Sequence, residues 1–200
     1  YISSPHLDDV QCAYASIRAL VEGGHRDSIS VCSVFDNEEV GSATKQGAAS
    51  GFLKDTLARI ADGLGKDAED FRMMLSESFM ISADNAHAAH PNHLDKADPT
   101  NRPYMNEGIV IKYNANQRYT TDAVSAAEFQ EICRSADVPV QSYVNRSDVP
   151  GGSTLGNIAS HQVSINMVDI GLAQLAMHSP YETAGVKDTS YLIRALREFY

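Results

Sequence analysis

Three scarcities bound the reading of this 200-residue sequence. No apolar stretch approaches the roughly 20 residues a membrane-spanning helix needs. The opening Tyr1-Ile2-Ser3-Ser4 has neither the charged nor the apolar part of a secretion signal. A soluble chain with no membrane partner is expected. Lysine and arginine are outnumbered, 16 against 26 acids, leaving a formal charge of -10. They nowhere form a run, so a phosphate backbone would be repelled and nucleic acid is not an expected partner. Cysteine is sparse: Cys12, Cys32 and Cys133 are odd in number, far apart and without CxxC spacing. That argues against a disulfide framework and against a thiolate zinc site, and it predicts buried free thiols in the reducing cytoplasm. Methionine is missing from the first position and a helical pattern starts within ten residues, so a longer parent protein with a preceding segment is expected.

What is present supports one folded unit. A hydrophobic content of 43% over this length is enough for a single core. Val10, Ala13, Tyr14, Ile17, Leu20 and Val21 recur at helical spacing before Gly23-Gly24, which predicts a helix over about 9–22. Residues 28–35 alternate and are β-branched, predicting a strand that ends in Asp36-Asn37-Glu38-Glu39-Val40-Gly41. Helices are expected over about 47–64 and 68–77, the second capped by Asp67, followed by a strand over 79–83. The stretch 90–107, with Pro91, Pro99 and Pro103, reads as a long loop. Strands at 109–113, 140–144 and 162–170, helices at 123–135 and 189–199, and a Gly-rich turn at 149–156 complete the pattern. Alternating strands and helices predict an α/β fold, a sheet covered by helices on both faces.

The acids cluster at the ends of these segments. Asp8 precedes a helix, Glu38-Glu39 follow one strand, Asp84 follows another and His178 follows the segment after a third. Open α/β sheets gather ligands at such ends. Carboxylate and neutral imidazole are zinc donors, and a two-ion site needs a bridging carboxylate with further ligands on each side. Adjacent carboxylates such as Glu38 and Glu39 project differently, so one could hold a metal while the other accepts a proton. Residue by residue, plainer accounts stand beside these: a solvated acidic loop for Glu38-Glu39, an N-cap for Asp84, a hydrogen-bonded core histidine for His178 and an exposed strand-end lysine for Lys112.

Taken together, Leu7-Asp8-Asp9, Asp36-Asn37-Glu38-Glu39-Val40-Gly41-Ser42, Ser82-Ala83-Asp84-Asn85-Ala86-His87-Ala88, the run from Ile111 to Tyr119, Gly151-Gly152-Ser153-Thr154 and Met177-His178-Ser179 stand in one order. In these ordered blocks the sequence resembles the aspartyl aminopeptidase family over nearly its whole length. The resemblance implies a three-layer αβα sandwich with a mixed, mostly parallel central sheet, of the phosphorylase/hydrolase-like kind and incomplete at the N-terminus. It implies two zinc ions, with manganese or cobalt as alternatives: Asp8 bridging, Glu39 and His178 on one ion, Asp84 on the other, and Glu38 as general base. His87, Lys112, Tyr119 and Gly152 fall at positions that line the family's substrate pocket, and Lys112 is expected to pair with an acidic substrate side chain. The implied reaction removes one N-terminal residue, Asp or Glu, from a peptide. The family also carries a further zinc-binding histidine, an aspartate two residues after it and a dimerisation domain, all before the region matching Tyr1, and it forms closed homo-oligomers. On that basis residues 1–200 are the C-terminal portion of a catalytic domain, inactive alone. A non-catalytic fragment or assembly module that keeps the fold and the acidic cluster is the main rival reading; an acidic interaction surface is a third, distinguished by whether these side chains converge or scatter.

Overall fold

The computed structural model describes residues 1–24 and 27–200. In chain order its elements are strand β1 (Ile2–Ser4), helices α1 (Leu7–Glu22), α2 (Phe52–Gly63) and α3 (Ala68–Ser76), and strands β2 (Phe79–Ala83), β3 (Ala86–His87) and β4 (Ile109–Tyr113). Helix α4 (Ala123–Ser135), strand β5 (Val140–Val144), helix α5 (Leu155–Ala159), strands β6 (Asn166–Gly171), β7 (Ala173–Leu175) and β8 (Glu182–Ala184), and helix α6 (Val186–Phe199) follow.

The strands form two four-stranded mixed sheets, ordered β2-β6-β4-β5 and β1-β8-β7-β3. The pairs β2/β6, β3/β7 and β4/β5 are parallel, whereas β1/β8, β4/β6 and β7/β8 are antiparallel. The sheets run into one another, because β2 continues to β3 across Asp84-Asn85 while β6 continues to β7 across Leu172. Backbone bonds bridge the break: Asp84 N donates to Ile170 O at 3.1 Å and Ala86 N to Leu172 O at 2.8 Å. The interruption therefore turns the side chains of Asp84 and Asn85 out of the regular alternation without leaving the ladder open.

One face of this sheet holds the main core. Val168 and Ile170 of β6 and Ile109 and Ile111 of β4 pack with Cys12, Ala15 and Ala19 of α1, Phe129 and Cys133 of α4, and Leu192 and Leu196 of α6. Small residues on α1 let it lie close to α6, and each fully buried Leu, Ile or Phe contributes about 1.5–3 kcal/mol. Residues of β2 and β6 also look the other way: Ser82 Oγ accepts from Gly156 N of α5 at 2.9 Å, and Asp169 Oδ1 accepts from Thr154 Oγ1 at 2.7 Å. Helices thus cover both faces, and the architecture is the expected α/β class.

Several boundaries differ from expectation for local reasons. Residues 28–35 alternate like a strand, yet among the described residues they join neither sheet, and Ile29 and Val34 are half exposed. Their pattern fits a pleat, but pairing needs a neighbouring strand, which local sequence does not encode. The helix expected from 47 starts at Phe52, because Gly47 and Gly51 favour the preceding turns. The Gly-rich stretch passes into α5, and Gln162 N and Val163 N bond back to Ala159 O. The strand expected from 162 consequently begins at Asn166. Helix α6 starts three residues early, at Val186 after Gly185. Cys12 and Cys133 are buried free thiols and Cys32 is half buried. Among the described residues no helix is long and apolar enough to cross a membrane.

Candidate metal centre

Four separated segments converge at one end of the sheet. The start of α1 brings Asp8 and Asp9, whose backbone leaves helical values before the regular turns begin. A single 3-10 turn, entered through Asn37 (φ 60°) and left through Gly41 (φ 104°), presents Glu38 and Glu39. Gly41 supplies the left-handed exit that a side chain would oppose. The β2–β3 break carries Asp84, and the segment after β7 carries His178 at φ 65°.

Two groups of donors result. Asp8, Glu39 and His178 place one ligand atom each within 4.8 Å of one another, and so do Asp8, Asp9 and Asp84. Asp8 belongs to both. His178 Nε2 lies 2.8 Å from Glu39 Oε2 and 3.2 Å from Asp8 Oδ2. The Asp8 side chain is only 3% exposed, and its Oδ1 has no hydrogen-bond partner. A buried, unpartnered carboxylate oxygen among other acids is costly unless a cation meets it.

The electrostatics agree with that cost. Burial pushes Asp8 upward, and the Asp84 and Glu39 charges push it further. Burial likewise holds Asp9 far above the carboxylate range, with Asp84 adding to it. Glu38 lies in neither donor group but close to both: burial, then Asp84 and Glu39, raise its carboxyl to about 7. Carboxylates that repel one another in a desolvated pocket are what a bound dication relieves, so the residues present fit zinc ions.

Beneath the second group lies a buried polar network centred on Asn85. Its Nδ2 donates to Leu7 O at 3.1 Å and to Gln174 Oε1 at 2.9 Å, and its backbone N donates to Asp9 Oδ1 at 3.2 Å. Lys112, 3% exposed, donates to Asp84 Oδ2 at 3.2 Å and Asn85 O at 2.8 Å. Its ammonium also stands 5.7 Å from the Tyr119 ring centroid. Gly171 permits this crowding: a Cβ there would fall 2.1 Å from Asp84 O and 3.0 Å from Lys112 Cε.

The positions expected to line a pocket are distributed around this centre. His87 ends β3, and although its ring reaches solvent, desolvation by surrounding protein and the Lys112 ammonium hold it below the usual histidine range. Tyr119 is buried beside Lys112. Gly152 is exposed, and a Cβ there would meet nothing within 4 Å. The glycine that packing demands is Gly151, where a Cβ would lie 2.6 Å from Asn145 Oδ1. Sequence reasoning missed Asp9 as a donor although it adjoins Asp8, and it missed Asn85, Asp169 and Glu182. Asp169, fully buried, takes Thr120 N at 2.6 Å, Thr120 Oγ1 at 2.7 Å and Thr154 Oγ1 at 2.7 Å, tying together the loops that carry Tyr119 and Gly152.

The whole chain, residues 1–200, matches the family profile described as Aminopeptidase I zinc metalloprotease (M18). The chain belongs to the M18 family. A "Probable M18 family aminopeptidase 2" of Clostridium acetobutylicum is 51% identical over 200 residues, which are all of this M18 chain and 46% of that protein. A "Probable aspartyl aminopeptidase" of Ricinus communis is 40% identical over 207 residues, 100% of this chain and 42% of that one. The chain therefore spans under half the length of these relatives. The structure described as the S. cerevisiae mApe1 dodecamer superposes with a TM-score of 0.86 at 29% identity, over 98% of this chain and 45% of that one.

Proposed function

We propose that the protein carrying this M18 chain is a two-zinc aminopeptidase that removes a single acidic residue, Asp or Glu, from the N-terminus of peptides. The observation that carries this reading is Asp8, a buried carboxylate common to two donor groups and with one oxygen unpartnered. Asp8 would bridge, Glu39 and His178 would complete one ion's set, and Asp84 would serve the other. When bound, the metals would supply electrophilic polarisation of the scissile carbonyl and ease the ionisation of an attacking water; manganese or cobalt would suit the same donors.

The chain's own residues do the rest. Glu38, beside the donors but outside both groups, accepts the proton of the attacking water and returns it to the departing amine, which its raised pKa suits. Lys112 keeps its proton: burial disfavours the charge, but Asp84 and then Tyr119 and Asp169 overcome it. An ammonium has three donors, and Lys112 commits two, leaving one for a substrate carboxylate. The Ricinus relative's name supports the acidic preference. The mApe1 dodecamer supports a homo-oligomer of the full protein. The free thiols support the cytoplasm as its location. His87, Tyr119 and Gly152 complete the pocket in this reading.

Elemental analysis after dialysis against trace zinc tests the proposal, run beside a Glu39→Ala, His178→Ala double variant. Zinc bound by the protein and lost in the double variant is expected. Equal metal in both would place the ion elsewhere and favour a non-catalytic module.

A further inference from the structure

Glu182, on β8, belongs to neither donor group, yet it joins two of their members. It is 2% exposed. Its Oε2 accepts from Asp8 N at 3.0 Å and its Oε1 from His178 N at 2.7 Å. These amides come from segments at opposite ends of the chain, and they are the amides of the two residues whose side chains meet at 3.2 Å. Neither amide has a place in regular structure. Asp8 stands at the irregular start of α1, where helical backbone donors lack partners, and His178 sits in a left-handed turn after Ala176, itself at φ 58°. A single carboxylate thus satisfies two otherwise orphaned donors and fixes the distance between their residues.

We propose that Glu182 is a positioning residue for the metal centre: by gripping the backbone of Asp8 and His178 it sets their shared site before an ion arrives. It acts through these residues and does not itself touch the ion. The inference rests on the proposed metal function and adds the reason why a loop histidine and a helix-start aspartate meet. Groups that orient metal ligands typically change metal affinity about 10–100-fold when removed.

A built-in comparison separates positioning from mere folding. Asp188, fully buried on α6, also accepts two backbone amides, Asn106 N at 2.6 Å and Gly108 N at 3.2 Å, but neither residue is a candidate ligand. Zinc affinity is measured by competition with a chromogenic chelator for the unaltered protein, Glu182→Gln and Asp188→Asn, alongside the metal-free melting temperature of each. Glu182→Gln should lower zinc affinity by about 10–100-fold. Asp188→Asn should lower the melting temperature and leave zinc affinity unchanged. Equal affinity in Glu182→Gln and the unaltered protein, or equal losses in both variants, overturns the positioning role alone. No zinc binding by the unaltered protein overturns the metal reading as well. A second measurement needs no variant: in metal-free protein the Asp8 and His178 amides should already resist hydrogen exchange. Protection that appears only after zinc is added would mean the ion, not Glu182, organises the site.

Discussion

An ammonium group withdrawn from water needs an anion, and Lys112 has one inside its own chain. The resemblance to the family implies, for this strand-end lysine, a partner supplied by substrate. The structure adds Asp84 Oδ2 and Asn85 O as partners already in place. In the proposed reading the residue has two tasks, neutralising a crowded carboxylate and offering its remaining donor to substrate. They are separable by measurement. Lys112→Met should reduce kcat/KM for Asp and Glu substrates at least about tenfold more than for neutral ones, the loss expected when a charge-assisted bond worth about 1.5–3 kcal/mol disappears. Equal loss for both substrate classes would assign Lys112 to Asp84 alone. Asp8, Glu38, Glu39, Asp84 and His178 were visible as candidates because each is a metal-type side chain at a segment end. Glu182, Asn85 and Asp169 were not visible, because their work is to bind amides and hydroxyls brought near by folding, and no spacing in the chain marks that.

Elements set by local pattern were legible to the residue: β4, α4 and β5 occupy 109–113, 123–135 and 140–144 as expected, and the structure adds Asp122 as the cap of α4. Short strands such as β1, β3, β7 and β8 have no period to read, being two or three residues long. They exist because long-range pairing selects them, as β1 against β8 joins Ser4 to Glu182. The long loop 90–107 was recognised from its prolines, but its anchorage was not. That anchorage is the first turn of α6, where Asp188 holds the amides of Asn106 and Gly108. Burial raises the Asp188 pKa despite these bonds. A folded-state pKa above the unfolded value means that the neutral form is favoured in the fold. The contribution to stability is therefore complete below the ordinary carboxylate value and is lost as pH rises through the raised one. Chemical denaturation across that window should show stability declining in the unaltered protein, with this part of the decline absent in Asp188→Asn. An unchanged slope in the variant would locate the pH dependence in other carboxylates.

At the scale of the molecule, the candidate ligands sit at residues 8, 39, 84 and 178, so an ion bound among them would cross-link the chain from near its start to near its end. In the metal-free fold the same acids oppose compaction, since Asp8, Asp9, Asp84, Glu38 and Glu39 face one another with Lys112 as the buried counter-charge. Stability and metal binding are therefore linked. The folded chain assembles the donors and the unfolded chain does not, so zinc should stabilise by mass action. At a free concentration one hundred times its Kd, a single site contributes about 2.7 kcal/mol. For a chain of this size that corresponds to a rise in melting temperature of roughly 5–11 °C. Calorimetry at several zinc concentrations should show the melting temperature climbing with the logarithm of zinc, and a chelator should reverse the climb. Glu39→Ala with His178→Ala should abolish the zinc dependence. It should also lose one of the repelling acids, so its metal-free melting temperature should not fall by the amount that zinc adds to the unaltered protein. A melting temperature indifferent to zinc in the unaltered protein would mean that the convergence of these carboxylates is maintained by the surrounding packing alone.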